Sequence, residues 1–328
     1  MKKLFFIFPE FEGTITGGTL YDYEVCKYLK KLHVPTKKII VSNSITQIKL
    51  SSLVNNLPKK SIILIDGYLA NRISFLFNKN IHILVHHPCC LEKREGKMSN
   101  LNLYFNEKRA FSNSKSIITV SFYMKKVINS LLDRIVKTEV AYPGIDDKYY
   151  SNKTDLNSKN ILAVGNVIER KGYDILIESL SKINHMWHLN IIGKYSKNDI
   201  YYLKLINQIE KYKLSKNITF LGNIADDAKM KYMLNSKIFV LPTSYEGFGI
   251  SLVEACALGM NVITSDLPVL KEALQGGKVT FFPKDDSKKL AKAIEYSLLS
   301  ETHISDSKLR YYNWKSTAKI FIRTLYAS

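Results

Sequence analysis

Short apolar runs of strand length recur along this chain, most of them closing on turn-forming residues and followed by a segment of helical spacing. KLFFIF (3–8), IIVSN (39–43), SIILIDG (61–67), IHILVHH (81–87) and SIITVS (116–121) form a first series. NILAVGN (160–166), HLNIIGK (188–194), NITFLGN (217–223), KIFVLPT (237–243) and NVITSD (261–266) form a second. Uninterrupted apolar strands are the kind buried on both faces. Their alternation with helices predicts an α/β chain built on doubly wound parallel sheets. Between the series lies AYPGIDDKYYSNKTDLNSKN (141–160), polar and turn-rich, which reads as a linker. At 328 residues the chain accommodates two halves. The expected division is 1–150, 151–312 and a closing helix over 313–328, where Trp314, Ala318, Ile322 and Leu325 recur at helical spacing.

Composition removes several alternatives. A hydrophobic content of 46% with 23% charged residues is that of a soluble globular protein. Cys26, Cys89, Cys90 and Cys256 form no C-x-x-C pair and no disulfide framework, which points to a reducing, cytoplasmic compartment. MKKLFFIFPEFEG imitates a signal peptide, but its apolar run stops at Pro9-Glu10 without a small-residue cleavage site, so a first strand is expected. No apolar segment approaches the ~20 residues that span a bilayer.

The net charge is +19, and the basic excess is distributed: residues 1–150 carry 23 basic against 12 acidic residues, and 151–328 carry 25 against 17. Nucleic acid, an anionic membrane surface and a phosphorylated small substrate are all compatible with it, as is plain solubility. No stacking-aromatic motif accompanies the charge, so nucleic acid is not expected as a partner. Peripheral contact with an anionic membrane by the more basic first half remains open.

In open parallel sheets ligands sit beyond the carboxyl ends of the strands, so residues following each run carry the functional reading. After KIFVLPT comes SYEGFG and then a helix from about Ile250, with Ile250, Val253, Ala257 and Met260 on one face and Gly259 at its stop. Gly247 and Gly249 allow close backbone approach, and free first-turn amides suit a phosphate. Glu254, one turn in, leans back toward the same point. On spacing alone, Glu246 can equally be a dipole partner and Glu254 a solvated side chain. After NILAVGN come Arg170 and Lys171, with Gly172 permitting a tight helix entry. A planar fork beside a point charge suits a diphosphate, although such pairs are often only solvated surface. In the first half a glycine loop, Gly13 to Gly18, precedes a helix over Leu20–Leu32. It is not G-x-G-x-x-G, which disfavours a dinucleotide oxidoreductase. His86-His87-Pro88 follows IHILV. No further His or Cys cluster has ligand spacing, so no metal site is expected, and a substrate-contacting or a structural histidine are the two readings. No D-x-D triplet, G-x-S-x-G or P-loop occurs.

Together these pieces resemble the family-4 retaining glycosyltransferases of the GT-B fold. Glu246-Gly-Phe-Gly-Ile-Ser-Leu-Val-Glu254 is similar to that family's E-x(7)-E motif, followed by Ala255, Ala257 and Gly259. Gly17-Gly18, HHP at 86–88, TVS at 119–121, YPGID at 142–146 and VGN…RKG at 164–172 stand in the family's order. The resemblance implies two Rossmann-like domains facing a central cleft, the first binding acceptor and the second a nucleotide sugar, with the last helix crossing back onto the first. By the same resemblance, Arg170 and Lys171 neutralise the diphosphate, and the amides of Gly247, Phe248, Gly249 and Ile250 bind phosphate or sugar hydroxyls. Glu254 takes the ribose hydroxyls and Glu246 the donor sugar. Gly17 and Gly18 close over the phosphates, and Gly193, Asn223 and Ile224 border the base. His86, with His87 as the alternative, contacts the transferred sugar.

The implied reaction moves a hexosyl unit from a nucleotide-diphosphate sugar to a hydroxyl of a glycan or lipid-linked acceptor with retained anomeric configuration. It uses no metal and no cofactor, the nucleotide sugar being a substrate, and it fits cell-surface polysaccharide or glycolipid synthesis. The alternative is a catalytically silent GT-B subunit that binds a partner or glycan.

Overall fold

The computed structural model describes residues 1–10, 16–73, 80–92, 97–300 and 309–326, the side chains of 97–100 excepted. The chain divides into two compact units, Met1–Gly144 with Tyr312–Ser328, and Ile145–Tyr311. The first is built on six strands: Leu4–Glu10 (β1), Thr36–Ser42 (β2), Ile62–Asp66 (β3), Ile81–Val85 (β4), Ser116–Thr119 (β5) and Lys137–Val140 (β6). They lie in the order β2-β1-β3-β4-β5-β6, and every pair is parallel. From β1 the chain first steps outward to β2, then returns to β1's other side with β3. Ile7 accordingly stands in register with Ile39 on one side and Ile65 on the other. The winding reverses between β1 and β3, which opens a crevice at their carboxyl ends.

The second unit repeats the plan with Asn160–Val164 (β7), His188–Ile192 (β8), Ile218–Gly222 (β9), Ile238–Leu241 (β10), Asn261–Ser265 (β11) and Val279–Phe282 (β12). Its order, β12-β11-β10-β7-β8-β9, reverses between β7 and β10. Leu4, Phe6, Ile7 and Phe8 in β1, and Phe239, Val240 and Leu241 in β10, are fully buried, as strands covered by helices on both faces must be.

β6 and β12 are absent from the apolar series read in the sequence. Both are edge strands. KTEV buries only Thr138, and VTFF buries only Phe282, so neither carries a continuous apolar run. The first helix also differs from expectation. It spans Gly17–Lys31, so Gly17 and Gly18 form its first turn instead of a turn preceding it. The cause is Thr16, whose side chain accepts from Thr19 N while the Thr19 hydroxyl accepts from Thr16 N. Gly13, the other end of the expected loop, lies outside the described residues.

The polar stretch after Gly144 is built into the second unit. It carries a short helix, Lys148–Ser151, with Tyr149 buried, and the Thr154 hydroxyl donates to the carbonyls of Met233 and Ser236. The last helix, Trp314–Tyr326, belongs to the first unit. Trp314, Ala318, Phe321 and Leu325 are buried there, with Phe321 in place of the expected Ile322. The Trp314 ring meets Tyr21 at 5.5 Å between centroids, and the Thr317 hydroxyl donates to Tyr142 O at 2.6 Å.

Candidate functional site

In the second unit the reversal point brings together two loops that are 75 residues apart in sequence. β7 leads through Gly165 to a single 3-10 turn, Glu169–Lys171, and β10 leads to Pro242–Glu246. Gly172 then takes the left-handed conformation (φ 70°) at the start of the helix Tyr173–Leu180; a β-carbon there would lie 2.2 Å from Pro242 O, so only glycine lets the loops approach this closely. Ser244 N donates to Arg170 O at 2.7 Å and seals the contact.

Glu246 is 8% exposed, and its Oε1 is the hub of this crevice. Lys171 Nζ donates to it at 2.5 Å and the Thr243 hydroxyl at 3.0 Å, while Arg170 Nη1 lies 3.6 Å away and donates to Tyr245 O at 2.9 Å. Burial pushes the Glu246 carboxyl up, but Lys171 first and Arg170 next hold it below the usual carboxylate range. In the sequence, the cations and this carboxylate read as separate tools; in the structure they form one ion-paired unit. Glu246 is also no helix cap. The helix Ile250–Ala257 starts from Gly249 (φ 90°) without a side-chain cap.

Glu254, on that helix, is 6% exposed and is therefore not the solvated side chain that spacing allowed. Lys229, from the helix Asp226–Leu234, donates to both its oxygens at 3.3 and 3.1 Å and sits over the Tyr149 ring. Burial opposes the charge on Lys229, yet Glu254, followed by Tyr149, raises it above the ordinary lysine value. The Phe248 ring is buried. Gly193 follows β8, where its N–H donates to Gly222 O at 2.9 Å and a β-carbon would lie 2.0 Å from Gly165 O. Exposed Asn223 and half-buried Ile224 follow β9 at the same end of the sheet.

The first unit's reversal point holds a second cluster. Asp66 ends β3, His86 follows β4, and Asp22 comes from the second turn of the helix after β1. His86 Nε2 lies 3.1 Å from Asp22 Oδ1 and 3.3 Å from Asp66 Oδ2. Tyr68 N donates to Asp66 Oδ1 at 2.6 Å. Burial opposes the charged ring, but the two carboxylates, Asp22 foremost, outweigh it and raise His86 to about 10. Gly18 adjoins the ring; a β-carbon there would sit 3.1 Å from His86 Cδ2. His87 faces elsewhere, its Nε2 2.8 Å from Glu92. One ligand atom from each of Asp22, Asp66 and His86 lies within 4.8 Å of the others, a spacing on which a cation also fits.

Asp22, Asp66, Lys229 and Tyr149 were not read from the sequence. Asp66 had a signal, since it closes an apolar strand run as the other site residues do. Lys229 had none: in DDAKMKYML it reads as another surface lysine.

Two cations, a buried carboxylate and the start of the helix Ile250–Ala257 thus meet at one reversal point. Comparison with known proteins gives this arrangement a context. Residues 146–315, just over half of the chain, match the family model of the glycosyl transferases group 1. The chain belongs to that family. Among curated relatives of this family member, the O-antigen biosynthesis glycosyltransferase WclY of Escherichia coli is 30% identical over 179 residues, covering 52% of this chain and 48% of the relative. The phosphatidyl-myo-inositol mannosyltransferase of Mycobacterium tuberculosis is 28% identical over 201 residues, covering 55% and 51%. The chain thus spans about half the length of the curated relatives it matches. Solved structures show the fold across both units. Sucrose-phosphate synthase of Thermosynechococcus elongatus superimposes with a TM-score of 0.75 at 15% identity, over 98% of this chain and 95% of that one. Anabaena HepE, solved in complex with UDP-glucose, gives 0.70 at 19% identity over the same shares. The fold is that of the GT-B glycosyltransferases.

Proposed function

We propose that this protein is a retaining hexosyltransferase that moves a sugar from a nucleotide diphosphate to an acceptor hydroxyl. The observation that carries the reading is the convergence of Arg170, Lys171 and Glu246 where the second sheet reverses. Arg170 and Lys171 are assigned to the diphosphate. Negative charge grows there as the bond from the anomeric carbon to the phosphate oxygen breaks, and preorganised donors act most strongly where charge develops. One such donor is worth ~2.7–4 kcal/mol. The acceptor oxygen bonds to the same face of the anomeric carbon, and its proton passes to a leaving phosphate oxygen. No protein base, metal or cofactor enters this scheme, because the guanidinium and ammonium carry the charge that a metal would.

Glu246 accepts from donor-sugar hydroxyls through Oε2, since Oε1 is committed to Lys171 and Thr243. Glu254, held by Lys229, takes the ribose hydroxyls. Amides of Gly247–Ile250, and of Gly17 and Gly18, are assigned to phosphate or sugar oxygens, and Gly193, Asn223 and Ile224 to the base. His86 is assigned to a hydroxyl of the transferred sugar. The O-antigen and mannosyltransferase relatives favour an acceptor from cell-envelope glycan or glycolipid synthesis in the cytoplasm. Among the described residues no helix is long and apolar enough to cross a membrane. Peripheral attachment through basic residues of the first unit is the proposal for how the protein reaches such an acceptor, and failure to co-sediment with anionic vesicles at low salt would refute it.

The test is a thermal-shift panel of UDP-, GDP- and dTDP-sugars beside NAD, followed by turnover of whichever sugar nucleotide stabilises the protein. Stabilisation by a sugar nucleotide and a 100-fold or greater loss in Arg170→Ala are expected, on the order of one lost oxyanion-type donor. Stabilisation by NAD alone, or turnover unchanged in Arg170→Ala, overturns the assignment. Binding without turnover under any acceptor would favour a silent binding subunit.

A further inference from the structure

Asp22 is fully buried, and the surroundings of its two oxygens differ. Oδ1 lies 3.1 Å from His86 Nε2, whereas Oδ2 is buried with no hydrogen-bond donor facing it among the described residues. Asp66 is better supplied, with the Tyr68 amide at one oxygen and His86 at the other. A buried carboxylate oxygen without a donor is costly, and two ionised carboxylates against one imidazolium would leave net charge in the interior. A single proton on Asp22 Oδ2 removes both costs. It turns that oxygen into a donor toward Asp66, and it brings the cluster to one carboxylate, one imidazolium and one neutral acid.

The imidazole ring is fixed on several sides. Nε2 is occupied by the two acids, the Tyr21 ring stands edge-on at 5.1 Å between centroids, and Gly18 packs against Cδ2. Nδ1 has no protein partner among the described residues, and the side chain keeps 16% of its surface exposed. Among the described residues, the other titratable groups facing the cluster are Tyr21, Tyr23 and Cys26, all from the helix Gly17–Lys31. From the helix Trp314–Tyr326 only the Trp314 and Phe321 rings approach Tyr21 among the described residues. No Lys or Arg pairs with Asp22 or Asp66 among the described residues.

We propose that Asp22 is the protonated member of an Asp22–Asp66 carboxyl pair and acts as a positioning residue that holds His86 as an imidazolium, with its Nδ1–H as the donor presented to a ligand oxygen. The ligand contact rests on the sugar-binding role given to His86 above; the protonation state stands on the cluster's own geometry. His86 is then a hydrogen-bond donor and a fixed positive charge at neutral pH, and it cannot serve as a proton acceptor. Burial and the Asp66 carboxylate, which raise the Asp22 acid well above the usual range, act in the same direction.

The experiment is a long-range proton–nitrogen NMR titration of the full chain from pH 6 to 10.5, with His86 signals identified by their loss in His86→Gln. The substitution Asp22→Asn places a carbonyl toward His86 and an amide donor toward Asp66, copying the protonated acid without changing the charge. In the wild type both ring nitrogens of His86 are expected to be protonated at pH 8. Asp22→Asn should leave both ring nitrogens protonated at pH 7 while lowering the midpoint, because the acid can ionise as pH rises and the amide cannot. The double variant Asp22→Asn/Asp66→Asn, which leaves no carboxylate at the ring, should lower it by about 2 units or more further. A neutral His86 at pH 8 in the wild type, or at pH 7 in Asp22→Asn, overturns the proposal. So does a stoichiometric divalent metal in the purified protein whose removal by EDTA moves the His86 signals, because the cation would then occupy the place given to the proton. If the double variant fails to fold, the wild-type and Asp22→Asn titrations decide. His86→Gln with full sugar-nucleotide turnover would remove the ligand contact, and so the functional reading of His86, while the NMR result still settles the protonation.

Discussion

Replacing Lys171 by Met tests whether the crevice between β7 and β10 is held by charge pairing, because it keeps the apolar stem and removes only the ammonium. Lys171 and Glu246 have side chains only 12% and 9% exposed, so the substitution leaves a carboxylate in the interior without its nearest partner. Breaking a buried pair from one side costs ~3–5 kcal/mol. Here Glu246 keeps the Thr243 hydroxyl at 3.0 Å and Arg170 at 3.6 Å, which places the expectation at the low end, about 3 kcal/mol. Adding Glu246→Gln neutralises the stranded charge, so the double variant should recover about 2 kcal/mol relative to the sum of the single ones. The chain has two tryptophans, Trp187 in the second unit and Trp314 in the first. In a Trp314→Phe background, fluorescence of buried Trp187 during urea unfolding therefore reports the second unit alone. A midpoint loss equivalent to about 6–12 °C in melting is expected for Lys171→Met. A loss below about 1 kcal/mol, or strict additivity in the double variant, would refute the argument that this is one ion-paired unit.

His86 provides a pH dependence. Its folded value of about 10 stands above the ordinary 6.5, so its contribution to stability is full below about 6.5 and is lost as pH rises through about 10. The melting temperature of the wild type should accordingly fall more between pH 7.5 and 10 than that of His86→Gln; parallel curves would contradict this. Lys229→Met removes the partner of buried Glu254 and should destabilise the second unit by about 3 kcal/mol in the same Trp187 assay, with Lys229→Arg recovering part of it. A loss under 1 kcal/mol would mean that water, and not Lys229, satisfies Glu254. Gly193→Ala combines a backbone at φ 153° with a β-carbon 2.0 Å from Gly165 O, and its expected cost is at least ~3 kcal/mol. A stably folded variant with an unchanged urea midpoint would show that the β7 and β8 ends can separate freely.

The architecture was largely legible because central parallel strands leave an unmistakable sequence trace, a continuous apolar run closing on a turn. It failed at β6 and β12, where an edge strand needs only one buried residue in four. Single positions were harder. Arg170, Lys171, Glu246 and Glu254 were visible as residues placed after strands, but nothing in their spacing said that Lys171 and Glu246 would touch, since the contact is set by the reversal of strand order. Lys229 and Asp22 lie within helices whose surface and buried polar positions look alike in sequence. Their partners are chosen by tertiary packing, which periodicity does not encode. The first helix shows the reverse: Gly13 to Gly18 reads as a loop before a helix, while the Thr16–Thr19 box makes Gly17 and Gly18 its opening turn.

The first unit is closed by the helix Trp314–Tyr326, whose Trp314 and Phe321 pack on Tyr21. During synthesis, the second unit, Ile145–Tyr311, is complete before that helix has been made. The first unit, although begun earlier, is therefore completed after the second. Until its closing helix emerges, Tyr21 is uncovered on that side, and the Thr317 bond to Tyr142 O is missing. Nascent chains stalled with residue 311 just outside the ribosome should show a protease-resistant second unit and a still-sensitive first one. Equal resistance of both would mean that the six-stranded sheet of the first unit stands without its final helix.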